Sequence, residues 1–521
     1  MNTPFSEITD ALLADCRRAL SINHENRQKI LSDNARTEYG MAHGFDRITT
    51  AEEYRERVPV SEYSLYEEKI CTPHAFTDYP IRAFLTSSGT TGTQKKFPLT
   101  EEALKHYGSL YQDLPYAFAR VSGKRFSASM YHPPRDGWTI LSYAAYIWLA
   151  ETGKLDCDLF VGGREFLFCE EEADIPYVKA WLMLSEPDIE AIQSIYLYET
   201  TTVFHYLETN WQTVIRDMKE KRVSAAIPEK YQKLLLEHLP TAERIAEAES
   251  IFGAGFDHPV APRLWKKLKF VSGIGGKMYL FQERQLRHYI GDTPVSYYSY
   301  ACSECIVGVA LFDQPLYVLL PSAAYYEFIP ADGSDDEAVG IGELEIGKDY
   351  EIVITNFAGM YRYRLNDVLR IRSFLYESPV FEVIGRRKYM LDITGEKTDV
   401  ATATAVVDKW ADEYHLGISD FALAADAEST QSRYLVFIEG DKLTEPPAPE
   451  TFDRIMREFS PDYRDIRDLG WLGMPAVYLV PRGDIAASAC SVKRMAHNKP
   501  HIFLSEEQTA FLRKRGICNG E

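Results

Sequence analysis

The spacing of apolar residues predicts helices and buried strands in the first part of the chain. Apolar positions recur at helical spacing up to about Arg57, and longer helical patterns cover residues 187–220 and 228–251. Short continuous apolar runs at residues 81–87 and 268–272 are typical of buried strands. This part is therefore predicted to combine helices with strands.

The pattern changes twice further along. From residue 295, short apolar segments alternate with glycine and proline turns, which predicts a sheet-rich stretch. Beyond residue 389, helical and strand patterns alternate, which indicates a compact α/β unit. Its predicted elements are a helix at 400–414, a strand at 434–438, a helix at 449–469, a strand at 476–480 and a terminal helix. A charged turn at 385–388 separates the two stretches, so we predict domains 1–385 and 386–521.

Membrane-spanning and targeting segments are not expected. The most apolar run, residues 138–150, is too short for a bilayer, which takes about 20 residues, and is predicted to be a buried helix or a pocket wall. The first 20 residues contain acidic residues near their start and lack the apolar core of a signal peptide. Eight scattered cysteines are typical of a reducing compartment. A cytoplasmic protein is expected.

The charge balance limits the possible partners. The formal net charge is −20, with 57 Lys and Arg against 77 Asp and Glu. Nucleic acid and anionic membranes bind to a basic face, so neither is expected as a partner. A site for a small anion must then be a local basic patch, and the candidates are Lys95 with Lys96, and residues 386–388.

A loop rich in hydroxyl groups and glycine separates two predicted strands. Residues 85–100 read Leu-Thr-Ser-Ser-Gly-Thr-Thr-Gly-Thr-Gln-Lys-Lys-Phe-Pro-Leu-Thr, which is far longer than the two-residue turn of a plain hairpin. Exposed backbone amides and small hydroxyl side chains suit a loop that wraps phosphate groups. The residues concerned are Ser87, Ser88, Gly89, Thr90, Thr91 and Gly92. The alternative is a Ser- and Gly-rich surface loop.

Several common catalytic motifs are absent, and four other polar stretches stand in their place. The sequence lacks the phosphate-binding Gly-x-x-x-x-Gly-Lys-Ser/Thr, the dinucleotide-binding Gly-x-Gly-x-x-Gly, His-Glu-x-x-His and Gly-x-Ser-x-Gly. The stretches present are, in order, Thr-Ser-Ser-Gly-Thr-Thr-Gly at 86–92, Tyr-Ala-Cys-Ser-Glu at 300–304, Tyr-Arg-Tyr-Arg-Leu-Asn-Asp at 361–367, and Gly-Arg-Arg-Lys-Tyr-Met-Leu-Asp-Ile-Thr-Gly-Glu-Lys-Thr-Asp at 385–399.

This ordered set resembles the adenylate-forming enzymes. Among them it is most similar to the acyl acid amido synthetases known from auxin-responsive plant genes and their bacterial relatives. The closer resemblance is carried by Ala-Tyr-Tyr-Glu-Phe-Ile-Pro at 324–330, Gly-Met-Tyr-Arg-Tyr-Arg at 359–364 and Glu-Lys-Thr-Asp at 396–399. It implies an α/β fold: a large N-terminal adenylate-forming domain of sheets, packed helices and a β-rich subdomain, and a small, mobile C-terminal α/β domain.

The resemblance implies roles for residues of the N-terminal part. Glu304 would hold Mg²⁺ and Ser303 would contact the α-phosphate of ATP; the alternative for Glu304 is a solvated charge at a strand end. Tyr325 would pack on adenine, or else be a core aromatic of a strand. Asp367 would accept both ribose hydroxyls, or else belong to an Asn-Asp turn.

It also implies cationic groups from the C-terminal part. Arg386, at the turn between the domains, would act as a catalytic residue that reaches the ribose or a phosphate. Lys397 would lie near the nucleotide, or else be a surface charge. Lys499 would enter the site with the small domain and neutralise the carboxylate and the α-phosphate, and Lys493 is the second candidate for this role.

The chain departs from the family pattern in three places. Asn366 stands where the family has glycine, and Ala301 stands where the wider superfamily has glycine. The C-terminal Lys-x-Pro-Arg of the family appears as Asn-Lys-Pro-His at 498–501. The assignment of the lysine to Lys499 depends on this last alignment.

The implied activity is that of a ligase dependent on ATP and Mg²⁺. A small-molecule carboxylic acid would form an acyl-adenylate, and an amine, expected to be that of an amino acid, would take the acyl group. One alternative keeps the adenylate but ends in a thioester of coenzyme A or a carrier protein. The other is an inactive relative that acts as a binding protein.

Overall fold

The structure is a computed structural model, and it describes every residue except 1–4, 87–94, 108–115, 117–118, 132, 134–137, 169–175, 226, 276–279, 312, 387–389, 395, 397, 427–431, 441–442, 493–501 and 520–521. The described residues form two units. The first holds those of Met1–Ser87, Lys95–Leu365 and Leu369–Val383, and the second holds those of Asn366–Val368 and Ile384–Glu521. Both units combine helices with strands.

Helices cover the N-terminal region and the flanks of the first sheets. They are α1 (Phe5–Cys16), α2 (Ala19–Asp33), α3 (Glu38–His43), α4 (Ala51–Arg57), α5 (Glu101–Tyr107), α6 (Leu141–Glu151), α7 (Gly163–Leu167), α8 (Pro176–Ser185), α9 (Leu197–Lys219), α10 (Glu229–Glu237), α11 (Ala242–Gly253), α12 (Ala261–Leu264) and α13 (Leu280–Ile290). The apolar run at 138–150 forms most of α6, whose buried side includes Ala144, Tyr146 and Leu149.

Two smaller sheets lie in the first unit. The order β2-β1-β4 joins β1 (Ile81–Thr86), β2 (Lys96–Thr100) and β4 (Trp138–Thr139), and the order β3-β5-β6-β7 joins β3 (Lys124–Ser127), β5 (Ile189–Tyr196), β6 (Phe270–Ile274) and β7 (Val295–Ser296). The second of these sheets is parallel throughout. Its strands are almost wholly buried, as is usual for parallel sheets.

Two helix predictions in this region were wrong. The pattern at 187–220 predicted one helix, but residues 189–196 form β5 and the helix begins at Leu197. The pattern at 228–251 predicted a second long helix, which is in fact split into α10 and α11. Pro240 follows α10, and Thr241 caps α11 by accepting a hydrogen bond from the Arg244 N–H at 3.2 Å.

The sheet-rich stretch predicted from residue 295 is a seven-stranded sheet. Its order is β11-β12-β13-β14-β10-β9-β8, with β8 (Ser299–Cys302), β9 (Cys305–Ala310), β10 (Tyr317–Leu319), β11 (Tyr325–Pro330), β12 (Asp349–Thr355), β13 (Tyr363–Leu375) and β14 (Ser378–Arg386). Helix α2 is fixed to this sheet by Asn23, whose amide donates to the Tyr326 carbonyl at 3.1 Å and accepts from the Tyr326 N–H at 2.7 Å.

The second unit is an α/β unit, as predicted. A four-stranded sheet has the order β17-β18-β19-β20, and a short hairpin pairs β15 with β16. Its elements are β15 (Met390–Leu391), β16 (Thr398–Asp399), α14 (Val400–Tyr414), β17 (Ile418–Asp426), β18 (Arg433–Gly440), α15 (Pro449–Phe459), α16 (Pro461–Asp468), β19 (Ala476–Leu479), α17 (Asp484–Val492), α18 (Glu506–Arg513) and β20 (Ile517–Asn519). The single helix predicted at 449–469 is two helices, because Ser460 caps a new helix that begins at Pro461.

Candidate functional site

Ser303 and Glu304 form the two-residue turn between β8 and β9. The register pairs Cys302 with Cys305, so these two residues lie outside the ladder. Strand β9 is buried along its whole length, whereas both turn residues are half-buried. The core therefore holds the base of the turn, while the side chains at its tip are accessible to a ligand.

The side chain of Asn356 holds this turn. Its Nδ2 donates a 2.8 Å hydrogen bond to the carbonyl oxygen of Glu304. Its Oδ1 accepts hydrogen bonds of 3.0 Å from the N–H groups of Ala358 and Met360. Asn356 is only 3% exposed. A buried amide with both ends bonded is a rigid link, and here it connects the Glu304 turn with the loop at 356–361.

The two strands on either side of the hydroxyl loop form a hairpin that contacts the loop at 356–361. Strands β1 and β2 pair antiparallel as far as Thr86 and Lys96. Thr100, at the end of β2, donates a 2.7 Å hydrogen bond to the carbonyl of Phe357. Its hydroxyl also accepts a hydrogen bond from the Ala103 N–H and so caps α5. The predicted phosphate-binding residues 87–92 lie outside the described residues.

Tyrosines anchor the two lysines that follow the hydroxyl loop. The Lys95 ammonium lies 3.4 Å from the Tyr363 hydroxyl and 5.4 Å from the centre of the Tyr63 ring. The Lys96 N–H donates to the Tyr63 hydroxyl at 2.7 Å, and its side chain is exposed. These contacts fix the backbone at the end of the loop and keep a positive charge beside it.

The Gly-Met-Tyr-Arg stretch at 359–362 is built for packing. Gly359 has a φ of +90°, and a Cβ there would lie 3.0 Å from the Phe76 carbonyl oxygen, so only glycine fits. Arg362 is buried, and its guanidinium donates to the Glu327 carboxylate at 2.9 Å and to the Val58 carbonyl at 2.9 Å. This motif arginine therefore stabilises the fold.

Glu327, from the Ala-Tyr-Tyr-Glu stretch, is the partner shared by two arginines. It is 1% exposed, and besides Arg362 it accepts a 2.8 Å hydrogen bond from the Nε of Arg55. The stretches at 324–330 and 359–364, which both carry the family resemblance, are thus joined by a buried ion pair. This ion pair holds the two stretches together in the core.

Tyr325 lies inside the core. It is 3% exposed, its ring contacts the Tyr54 ring edge-on at 5.8 Å, and the Arg27 guanidinium lies 5.5 Å from its centre. Burial, followed by the nearby Glu327 carboxylate, raises the pKa of the Tyr325 hydroxyl to about 12. These surroundings favour the alternative interpretation of this residue, a core aromatic.

Asp367 lies half-buried on β13, in the segment Asn366–Val368 that belongs to the second unit. The residue before it, Asn366, has a φ of 64°. Asparagine is among the residues that adopt this left-handed conformation at low cost. Asn366 can therefore replace the family's glycine without distorting the backbone that carries Asp367.

Glu396 organises the fourth motif within the second unit. It is buried, and its carboxylate accepts hydrogen bonds from the Ile393 N–H at 2.8 Å, the Thr394 N–H at 2.9 Å and the Tyr434 hydroxyl at 3.0 Å. Tyr434 also shares a 2.8 Å hydrogen bond with Thr398. Burial, with the Glu396 charge next, raises the pKa of Tyr434 above its ordinary value. The backbone on both sides of position 397 is thereby held.

For four of the predicted site residues, all of them cationic, the structure describes no side chain. Lys397, Lys493 and Lys499 lie outside the described residues, and Arg386 is the last residue of β14 but its side chain is not described. Among the residues that are described, no three His, Cys, Asp or Glu side chains are grouped so that they could hold a metal ion by themselves.

Three models of one protein family match most of the chain. The GH3 family N-terminal domain matches residues 9–295, the GH3 family central domain matches 317–386, and the GH3 family C-terminal domain matches 401–502. The chain belongs to the GH3 family.

Plant GH3 proteins are similar to this chain over most of its length. A jasmonoyl–L-amino acid synthetase, GH3.5 of Oryza sativa subsp. japonica, is 29% identical over 479 residues, which cover 81% of this chain and 80% of the relative. An indole-3-acetic acid-amido synthetase, GH3.2 of Arabidopsis thaliana, is 25% identical over 465 residues, which cover 80% and 84%.

Solved GH3 structures share the fold. The GH3.15 acyl acid amido synthetase superposes with a TM-score of 0.85 at 24% identity, covering 98% of this chain and 97% of that one. The AtGH3.15 acyl acid amido synthetase in complex with 2,4-DB gives 0.83 at 23% identity. The predicted family, the α/β fold and the enzyme class, a ligase of the acid–amino acid type, are confirmed.

Two residues of this GH3 protein that organise the motifs were not predicted from the sequence. Asn356 and Tyr434 stand outside the four polar stretches, and their partners Glu304 and Glu396 are 52 and 38 residues away. The one local signal for Asn356 is its place directly before Phe-Ala-Gly, at the end of an apolar strand. Within the described part of the GH3 chain, no helix has the length and apolarity to cross a membrane.

Proposed function

We propose that this GH3 protein uses ATP and Mg²⁺ to convert a small carboxylic acid into an acyl-adenylate, and then transfers the acyl group to the amine of an amino acid. A free carboxylate is a poor acylating agent, because its oxygen is a poor leaving group. Attack of the carboxylate on the α-phosphate of ATP releases pyrophosphate and leaves AMP as a good leaving group. The amine then attacks the acyl carbon and AMP departs.

The observation that carries this proposal is a pair of hydrogen bonds made by the loop at 356–361. Asn356 bonds to the Glu304 turn, and the next residue, Phe357, accepts from Thr100 at the end of the hairpin around the hydroxyl loop. The turn that carries a candidate metal ligand and the strand that follows the candidate phosphate loop are thus bonded to two consecutive residues. Phosphoryl-transfer sites depend on such positioning, because much of their catalysis is electrostatic.

The residues around Glu304 fit a magnesium ion that arrives with a nucleotide. Mg²⁺ in such sites keeps several waters and is held by one or two carboxylates together with substrate phosphates. Glu304 offers one half-buried carboxylate, and in the described part of the chain no hydrogen bond or ion pair occupies it. When bound, Mg²⁺ would neutralise charge on the phosphates that face the incoming carboxylate.

We assign the remaining contacts from the family pattern. The hydroxyl loop, Ser87 to Gly92, wraps the β- and γ-phosphates, and Ser303 contacts the α-phosphate. Asp367 accepts the ribose hydroxyls. Three cations, Arg386, Lys397 and Lys499, come from the C-terminal domain, which we place at 386–521 and which moves between the two half-reactions.

The acid and the acceptor are proposed as classes. Relatives are named for jasmonoyl and indole-3-acetic acid conjugation, and a related structure contains 2,4-DB. These names favour a small carboxylic acid with an apolar body and an amino acid as its acceptor. The net charge of −20 also disfavours a large polyanionic acceptor such as coenzyme A.

The products test this proposal directly. With Mg²⁺-ATP, a panel of carboxylic acids and an equimolar mixture of amino acids and coenzyme A, we expect pyrophosphate, AMP and an amide. Mass spectrometry identifies the acyl product, and chromatography separates AMP from ADP. ADP with phosphate as stoichiometric products would place the attack on the γ-phosphate and exclude adenylation. A thioester as the main product would keep adenylation but overturn the amine acceptor.

Exchange of Glu304 for glutamine tests the metal site. Glutamine keeps the size and one neutral oxygen but loses the charge that a hard cation prefers, so we expect about a tenfold lower turnover at moderate Mg²⁺. The temperature of unfolding should stay within experimental error, since the side chain is half-buried and unbonded among the described residues. Turnover is measured by pyrophosphate release over a Mg²⁺ titration. Wild-type kinetics would show that Glu304 is a surface charge.

A further inference from the structure

We infer that Asn356 is a positioning residue that aims the Glu304 carboxylate and thereby sets the metal affinity of the enzyme–ATP complex. The inference rests on the proposed role of Glu304 as a magnesium ligand. Its basis is the hydrogen bond of 2.8 Å from the Asn356 Nδ2 to the Glu304 carbonyl, which joins two segments 52 residues apart.

This hydrogen bond is not needed to close the loop on which Asn356 lies. The loop is closed by a backbone hydrogen bond of 3.0 Å, from the Asn356 N–H to the Met360 carbonyl. The side-chain Oδ1 strengthens it by accepting from Ala358 and Met360. The Nδ2 takes no part in either contact. Its partner is the turn, so the donor end of the amide serves Glu304 alone.

Fixing the carbonyl of Glu304 restrains the direction of its Cα–Cβ bond, from which the side chain extends. The carbonyl belongs to the peptide plane between Glu304 and Cys305, and β9 holds the far side of that plane in the core. In a two-residue turn, rotation of this plane re-aims the Cα–Cβ bond of the residue before it. Without the bond from Asn356, the plane is held from one side only, and the carboxylate can sweep over several directions.

The expected loss of metal affinity can be taken from other metal sites in which a residue orients a metal ligand. Partners that orient a metal ligand, without touching the metal, typically contribute 10–100-fold to metal affinity. The amide of Asn356 is 3% exposed, so water does not compete for the bond. We therefore expect its loss to weaken metal binding by about tenfold, while the binding of the acid substrate stays unchanged.

Asn356→Asp isolates the contact. Aspartate has nearly the same shape and keeps the acceptor for Ala358 and Met360, but it replaces the donor to Glu304 with an acceptor and adds a negative charge, which the control variant must also add. The matched control is Asn23→Asp. Asn23 is also a buried amide, 6% exposed, that donates to one backbone carbonyl and accepts from one backbone N–H, but its partner is Tyr326. Both variants lose the same kind of hydrogen bond.

The direct readout is Mn²⁺ binding to the full-length enzyme with ATP and no acid, followed by electron paramagnetic resonance, so that no turnover is required. We expect Asn356→Asp to weaken Mn²⁺ binding about tenfold and to raise the Mg²⁺ requirement of pyrophosphate release by the same factor. The KM for the acid should not change. Asn23→Asp should bind Mn²⁺ like the wild type, although it unfolds at a lower temperature.

Each other outcome has a defined meaning. If Glu304→Gln weakens Mn²⁺ binding and Asn356→Asp does not, the inference is overturned and the proposed metal site stands. If both aspartate variants weaken it equally, the effect is one of stability, and the inference again fails. If Glu304→Gln binds Mn²⁺ like the wild type, the metal role of Glu304 fails and takes the inference with it. Should Asn356→Asp not fold, Asn356→Ser, whose hydroxyl is too short to reach both partners, is measured with the same expected direction.

Discussion

Replacing Lys499 with alanine is expected to slow acyl-adenylate formation by two to three orders of magnitude. Loss of one preorganised charge at a reacting phosphate typically costs about 3–4 kcal/mol, roughly 10²–10³ in rate. Carboxylate and triphosphate repel each other before they react, and a lysine between them offsets this repulsion. The measurement is the rate of pyrophosphate release in a single turnover, with saturating acid and Mg²⁺-ATP.

The same variant should leave the second half-reaction largely intact. Started from synthetic acyl-adenylate, amide formation no longer involves the triphosphate, so we expect a change of less than about fivefold on the scale of one hydrogen bond. Lys493→Ala serves as the matched control on the same segment. If Lys493→Ala shows the large loss and Lys499→Ala does not, the lysine of the family pattern is Lys493.

Replacing Glu327 with alanine is expected to lower the free energy of unfolding by about 3–5 kcal/mol, because removal of one partner leaves a buried charge unpaired. Two arginines depend on this carboxylate, and Arg362 is nearly as buried as Glu327 itself, with side-chain exposures of 4% and 1%. The effect is read from urea unfolding followed by circular dichroism and tryptophan fluorescence.

An exposed ion pair of the same unit gives the control. Glu345 pairs with Lys348 at 2.6 Å, but both side chains are exposed. Glu345→Ala should change stability by no more than about 0.5 kcal/mol, as is usual for surface pairs. If Glu327→Ala lowers the free energy of unfolding by less than about 1 kcal/mol, water reaches the two arginines. The ion pair of Glu327 then does not hold the stretches at 324–330 and 359–364 together.

The sequence predicted the C-terminal α/β unit better than the parallel sheet. Helix α14 begins and ends at the predicted residues because its cap and apolar stripe are local signals. Strand β5 was missed because Glu190 and Gln193 give it the polar spacing of a helix. Glu190 accepts hydrogen bonds from the N–H groups of Ser122 and Gly123 and from the Lys269 ammonium, which are 68, 67 and 79 residues away. Contacts at such separations leave no mark in local spacing.

In the candidate site, too, contacts between residues far apart in the chain could not be predicted from the sequence. Glu304 and Asp367 were found because they stand in short ordered motifs. That Arg362 serves packing was not readable, since its partner Glu327 precedes it by 35 residues and the motif looks the same for a buried or a ligand-binding arginine. Asn356 was missed because a single asparagine after a strand is typical of many turns. Its hydrogen bond to Glu304, 52 residues earlier in the chain, is seen only in the folded structure.

The bonds between helix α2 and the seven-stranded sheet have a consequence for synthesis of the chain. Asn23 and its partner Tyr326 are 303 residues apart. At about 5–20 residues per second, a ribosome needs roughly 15–60 s to make that interval. During this time the buried side of α2, which includes Ile30 and Leu31, has no sheet to cover it. Helix α2 therefore reaches its final packing long after it is made, and a chaperone that shields apolar helices should raise the yield of folded protein.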